Sequence, residues 1–222
     1  MPPRIYYSNK IKKVNGISKD DARHLKALRL NSNDNVELFD GKGTIAKGII
    51  EFINKKVNIT VSEIQNFTEQ TPEIILWTAI PKGDRADWLI EKAVEVGVSK
   101  IVPIIFRFSI VKPKKNKLDR WKRLAISASA QSKRAFIPEI AEPMNFKDAL
   151  TQIKDEQIIL CHQDGENIHK LKLKDKIILI IGPEGGFDKI ELEIKADKLK
   201  LNDKILRTET AAMTAVSLLR AV

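Results

Sequence analysis

Two segments, EIILWTAI (73–80) and KIILIIG (176–182), are apolar at nearly every position rather than at every second one. A strand with one wet face alternates, so a continuous β-branched run of this length needs apolar cover on both faces. KIVPIIF (100–106) and QIILCH (157–162) fit the same class. Helix patterns lie between them. DRADWLIEKAVEV (84–96) is amphipathic, with Trp88, Ala93 and Val96 among its apolar positions, and Gly97 stops it from the C′ position. LDRWKRLAISASAQS (118–132) is a helix with a basic face, and FKDALTQI (146–153) a short one. Asp188 and Glu191 form a capping-box pair ahead of another helix. KLKL (198–201) is a short strand and RTETAAMTAVSLLRAV (207–222) a terminal helix. This alternation predicts an α/β domain over 73–222, built on a parallel sheet covered on both faces.

Residues 1–70 follow a different rhythm. VELFD (36–40), TIAKGII (44–50) and VNITV (57–61) are alternating or β-branched, and DGKG (40–43) is a hairpin turn between the first two. One helix fits before them, with Ser18 as N-cap, Asp21 three residues on, then Leu25 and Leu28. Short strands with one helix predict a small β-barrel, and the polar TEQTP (68–72) a linker to the second domain.

Composition narrows the function. The single cysteine, Cys161, excludes an internal disulfide and suits a reducing cytoplasm, and the three histidines have no ligand spacing with it, so no metal site is expected. No run is apolar enough for a membrane span, and MPPRIYYSNK lacks the core of a secretory signal. The net charge of +10 points to a polyanion such as RNA or DNA, although a lysine-rich genome would give the same excess.

IIGPEGGF (180–187) ends a buried strand, where parallel sheets bind ligands. Its glycines let main-chain atoms approach a ligand, yet neither the phosphate-loop nor the dinucleotide spacing is present, and a tight strand-to-helix turn would explain part of the set. LRTETAAMTA (206–215) gathers Arg207, Thr208, Glu209 and Thr210 at a helix start. Thr208 or Thr210 as N-cap and Glu209 in the first turn suit the helix dipole; Arg207 does not, unless it serves something else.

These two stretches, in this order, resemble the RsmE-type 16S rRNA uridine-N3 methyltransferase family of the SPOUT class. PRIYY, KALRL, LFDG, KGDRADWLIEKAVEVGVSKIVPI, QSKR and IPEI extend the resemblance through nearly the whole chain. It implies a PUA-like, RNA-binding β-barrel (1–70) and a SPOUT methyltransferase domain (73–222) with a trefoil knot. It also implies a homodimer acting in the cytoplasm on 16S rRNA, on the assembled small ribosomal subunit. S-adenosyl-L-methionine would be the methyl donor, held by Leu160, His162, Ile181, Gly182, Glu184, Gly185, Gly186, Leu201, Asn202, Ile205 and Leu206. Glu184 could equally cap the next helix, contact the ligand or face a partner subunit. Uridine N3 carries a proton, so a cation or base is needed: Arg207 first, then Arg134, with Glu209 as a base or merely a cap. Arg4, Lys26, Arg29, Lys112, Arg120 and Lys122 are candidates for tracking phosphates. Four positions depart from the family pattern: Arg107 and Phe108 replace an acid and an arginine, Ala130 a glutamate and Asn202 a glycine. Another RNA target, or a catalytically silent RNA-binding module, are the alternatives.

Overall fold

The computed structural model describes residues 2–18, 22, 23, 25, 27, 29–53 and 56–222, apart from the side chain of Lys115. The chain forms two compact units: residues up to Glu69 together with Ser129–Ile137, and Gln70–Ala128 together with Pro138–Val222.

The first unit is a five-stranded sheet in the order β1-β3-β4-β5-β2. β3 (Asn35–Phe39), β4 (Thr44–Ile53) and β5 (Lys56–Asn66) form the predicted antiparallel meander. The Asp40 carboxylate accepts from the main-chain N–H groups of Lys42 (2.8 Å) and Thr44 (2.9 Å), which is why DGKG turns there. β1 (Arg4–Tyr6) runs parallel to β3, and β2 (Val14–Gly16) pairs antiparallel with β5. Neither three-residue strand carries enough alternation to be read from sequence. Ile5, Leu25, Val36, Leu38, Ile50 and Ile59 fill the core on one side of the sheet. Ala22, Arg23, Leu25 and Ala27 are helical, as the pattern predicts; the expected capping partner Asp21 and the apolar Leu28 lie outside the described residues.

Ser129–Ile137 joins this unit by main-chain hydrogen bonds, from Gly43 N–H to the Ala135 carbonyl (3.1 Å) and from Ile137 N–H to the Gly41 carbonyl (3.0 Å). The sequence places a boundary only near 68–72. A return crossing held by backbone pairing leaves no periodicity to detect.

The second unit is a seven-stranded, all-parallel sheet in the order β12-β10-β11-β6-β7-β8, with β9 also paired to β7. The two fully apolar runs, β6 (Glu73–Thr78) and β11 (Lys176–Ile181), are adjacent and central. β7 (Lys100–Ile105) and β10 (Gln157–Glu166) flank them, and β12 (Asp197–Leu199) is the edge. Two-residue β8 (Glu139–Ile140) and β9 (Met144–Asn145) are too short to predict.

α1 (Asp84–Glu95) buries Ala86, Leu89, Ile90, Ala93 and Val94; of the expected apolar positions Ala93 is buried, whereas Trp88 is exposed. α2 (Leu118–Gln131) and the short α3 (Phe146–Leu150) follow, then the one-turn α4 (Lys189–Leu192) with its Asp188–Glu191 capping box. α5 (Thr208–Ala221) follows the edge strand but contacts α1, β11 and β6, so the chain passes out beyond β10 and back. No helix among the described residues is long and apolar enough to cross a membrane.

Candidate functional site

The second half of β10, where Cys161–Gln163 are strand rather than the loop expected there, lies beside the loops that follow β11 and β12. Together with the start of α5 they enclose a cleft of about 380 Å³. That volume suits a nucleoside-sized ligand, since small-molecule sites run about 300–1,000 Å³. Cys161, His162 and Gln163 form one wall, Ile181–Phe187 the second, Leu201, Asn202 and Lys204–Leu206 the third, with Thr208 and Ala211 from α5.

Each wall has a local cause. Gly186 takes φ +77, a conformation costly for residues with a Cβ, and its N–H bonds the Pro183 carbonyl at 2.9 Å, closing the turn. Gly185 is required by proximity: a Cβ there would lie 2.9 Å from the Cβ of Phe108. Thr208 Oγ1 donates to the Gly182 carbonyl (3.1 Å), tying α5 to the glycine turn. Asn202, where the family pattern has glycine, accepts from Lys204 N–H through its side chain (2.9 Å); among the described residues it is not one with positive φ. An Asx turn therefore shapes this loop instead of a left-handed residue. Gln163 Nε2 donates to the Lys204 carbonyl (3.4 Å), joining the first wall to the third.

The cleft gathers His162, Ile181, Gly182, Glu184, Gly185, Gly186, Leu201, Asn202, Ile205 and Leu206 from the residues singled out in the sequence. Leu160 is not in the lining; at 1% exposure it lies in the sheet core beneath. Thr208, expected only as a helix cap, also lines the cleft, as do Phe187 and Ala211, which were not singled out. The Nδ1 atom of His162 accepts from Asp164 N–H (3.2 Å). Burial pushes the Cys161 thiol up from its ordinary range, leaving it protonated. Among the described residues no cluster of acids, histidines and cysteine could hold a metal.

The candidate catalytic residues are dispersed. Arg207 is the N-cap of α5, but its side chain makes no capping bond, is exposed and is absent from the cleft lining. Neither expected threonine caps the helix; Thr208 begins it and spends its hydroxyl on Gly182. Arg134 belongs to the segment that clusters with the first unit, where its carbonyl accepts from Arg4 (3.1 Å). Glu209 is buried beside Arg85, whose Nη1 is 3.5 Å from Oε1. Arg85 Nη2 is also 3.6 Å from Glu184 Oε1, so Glu184 serves this pair while Asp188 caps α4. The sequence offered no signal for Arg85, one cation in an amphipathic helix.

The basic candidates also divide. The Arg4 side chain, 5% exposed, pairs with Glu37 at 2.9 Å and lies over the Phe39 ring, so its charge is spent inside the first unit. Arg120 pairs with Asp87 at 2.5 Å. Arg29, Lys112 and Lys122 are exposed, and Lys26 lies outside the described residues. Arg107 and Phe108 sit in a turn pinned by Glu191 Oε1, which accepts from Arg107 N–H (2.7 Å), and by Ser109 Oγ, which accepts from Phe106 N–H (2.9 Å). Phe108 remains 46% exposed.

Residues 68–220 match the family described as the RNA methyltransferase domain, and 17–60 the RNA methyltransferase PUA domain. The chain belongs to the RNA methyltransferase family. A relative from Buchnera aphidicola subsp. Acyrthosiphon pisum, named ribosomal RNA small subunit methyltransferase E, is 34% identical, covering 91% of this chain and 86% of its own. The protein of that name from Bacillus subtilis is 26% identical over 90% and 87% of the two chains. The crystal structure of a ribosomal RNA small subunit methyltransferase E from Neisseria gonorrhoeae, bound to S-adenosyl methionine, superposes with a TM-score of 0.92. It is 28% identical and covers 100% of this chain and 98% of that one. The fold of this RNA methyltransferase is thus the SPOUT arrangement with a PUA-like antiparallel unit, as the resemblance implied.

Proposed function

We propose that this RNA methyltransferase transfers a methyl group from S-adenosyl-L-methionine to N3 of a uridine in 16S rRNA, on the small ribosomal subunit in the cytoplasm, as a homodimer. The three-walled cleft between the second half of β10 and the loops after β11 and β12 carries this reading, supported by the donor bound in the gonococcal relative.

The cleft's chemistry fits the donor. Ile181, Leu201 and Leu206 offer apolar surface for an adenine ring, and main-chain atoms of Gly182, Gly185 and Gly186 supply polar contacts. Ile205 lines the rim at 91% exposure, an apolar side chain that a seated ligand would cover. When bound, the donor supplies an electrophilic methyl carbon on a sulfonium. The walls would hold the donor in place, and alignment of the nucleophile with that carbon is a large source of rate. N3 is occupied in a base-paired uridine, so the target must be unpaired or extruded. The PUA-like unit and the exposed Arg29, Lys112 and Lys122 would hold RNA phosphates, giving affinity that falls with salt.

Calorimetry with S-adenosyl-L-methionine tests the cleft, with binding in the micromolar range expected. Incubation of the protein and labelled donor with small subunits from a strain lacking this gene, followed by mapping of the modified nucleotide, tests the target. An unmodified 16S rRNA would refute the assignment.

A further inference from the structure

A buried carboxylate is costly unless its oxygens are engaged. Glu209 is 7% exposed, yet among the described residues its Oε2 is buried with no donor, and Oε1 has only Arg85 at 3.5 Å. The same guanidinium is 3.6 Å from Glu184, which lines the cleft from the glycine turn; Glu209 directly follows Thr208, which lines it from α5. Arg85 is not itself in the lining; it stands directly behind the lining residue Glu184, with 40% of its side chain exposed. Charge-assisted N–H to O bonds run about 2.7–2.9 Å. Both contacts here are longer, so neither carboxylate saturates a group that has five N–H donors in a fixed fork.

We infer that Arg85 is the catalytic cation of this site, donating to a carbonyl oxygen of the target uracil, and that Glu209 and Glu184 are positioning residues that hold it there. The inference rests on the uridine-N3 reading. In the transfer, N3 gives its proton to solvent at the open mouth of the cleft. Its electron pair forms the bond to the methyl carbon, and the carbon–sulfur bond breaks with its pair going to sulfur. The negative charge of the deprotonated ring resides on N3, O2 and O4, and the two oxygens are acceptors for that donor. Neither arginine is in the cleft lining, but Arg85 is held by Glu184 and Glu209, whereas no described contact fixes the Arg207 side chain.

The test uses the full-length protein and the RNA that the wild type methylates. Arg85→Gln should lower the single-turnover rate by about 10²-fold or more, the usual loss for one donor to a developing anion, while donor affinity by calorimetry stays within a few-fold. Arg85→Lys should recover part of the rate. If the cation stabilises the uridinate, the rate of Arg85→Gln should keep rising with pH where the wild type has levelled. RNA carrying 5-fluorouridine, whose N3 is more acidic, should then recover much more of the variant's rate than of the wild type's. A readout independent of turnover is the fluorine resonance of that RNA bound without donor: the wild type should lower the N3 pKa of the bound base and Arg85→Gln should not. Glu209→Gln should show the same fluorouridine rescue in weaker form. Equal rates, or a loss insensitive to substrate acidity, would overturn the role of Arg85 while leaving the methyltransferase reading intact. Failure of the wild type to modify any uridine would overturn both.

Discussion

Gly185→Ala isolates the packing of the glycine turn. The new Cβ would fall 2.9 Å from the Cβ of Phe108 and 3.3 Å from its carbonyl oxygen. Carbon atoms in comfortable contact sit about 3.5–4.0 Å apart, so the gap must open by roughly 0.6 Å or more. Phe108 cannot yield by changing rotamer, because the clash is with the root of its side chain. Its turn is held by the buried Glu191 carboxylate at Arg107 N–H and by Ser109 at Phe106 N–H. The glycine turn must move instead, and it is a wall of the cleft. Overpacking of this kind costs about 1–3 kcal/mol. If that cost falls on the ligand-competent conformation, S-adenosyl-L-methionine should bind roughly 5- to 150-fold more weakly, since about 1.4 kcal/mol is a factor of ten. Calorimetry measures this directly, and Gly185→Val should abolish detectable binding. A double variant adds the decisive comparison: Phe108→Gly removes the opposing Cβ, so Gly185→Ala in that background should lose much less affinity. Equal losses in both backgrounds would refute the steric argument, and undiminished binding would remove the turn from the site.

Other consequences can be measured alongside. Thr208→Val keeps the shape of the side chain but strips the Gly182 carbonyl of its donor; a loss of about 1–3 kcal/mol in stability is expected by denaturant titration, with Thr208→Ser near wild type. Burial alone would raise the Glu37 carboxyl, but hydrogen bonds and charge from Lys133 and Arg4 outweigh it and hold it below its ordinary 4.5. Because the folded value is the lower one, the pair's stabilisation is present above 4.5 and is lost as pH falls from there through the folded value. Glu37→Gln should flatten that part of the acid-unfolding curve. Cys161, with its thiol pushed up by burial, should react slowly with iodoacetamide at neutral pH and fully once the protein is unfolded.

The parallel sheet is legible because β6 and β11 announce burial on both faces, and the meander because β3, β4 and their turn follow local rules. The capping box at Asp188 is legible for the same reason: its partners are three residues apart. The glycine turn is legible as a ligand site from its place at a strand's carboxyl end, but the other two walls only through resemblance, since the three are far apart in sequence. Arg85 escapes notice because its meaning comes from Glu184 and Glu209, carried by other elements. Trp88 reads as an apolar position like any other, because helical periodicity fixes which residues share a side but not which of them the fold covers. Thr208 reads as a cap on local grounds; a long-range bond to Gly182 decides otherwise.

α5 is fastened along its length, by Thr208 to the glycine turn and by Arg220, which donates to the carbonyls of Pro72 (2.7 Å) and Gly97 (2.5 Å). The element that closes the cleft thus follows every described strand, while its far anchors, Pro72 and Gly97, lie in the first part of the second unit. The pocket stays open on one side until that helix docks. A chain cut ahead of α5 should therefore be unable to hold a methyl donor.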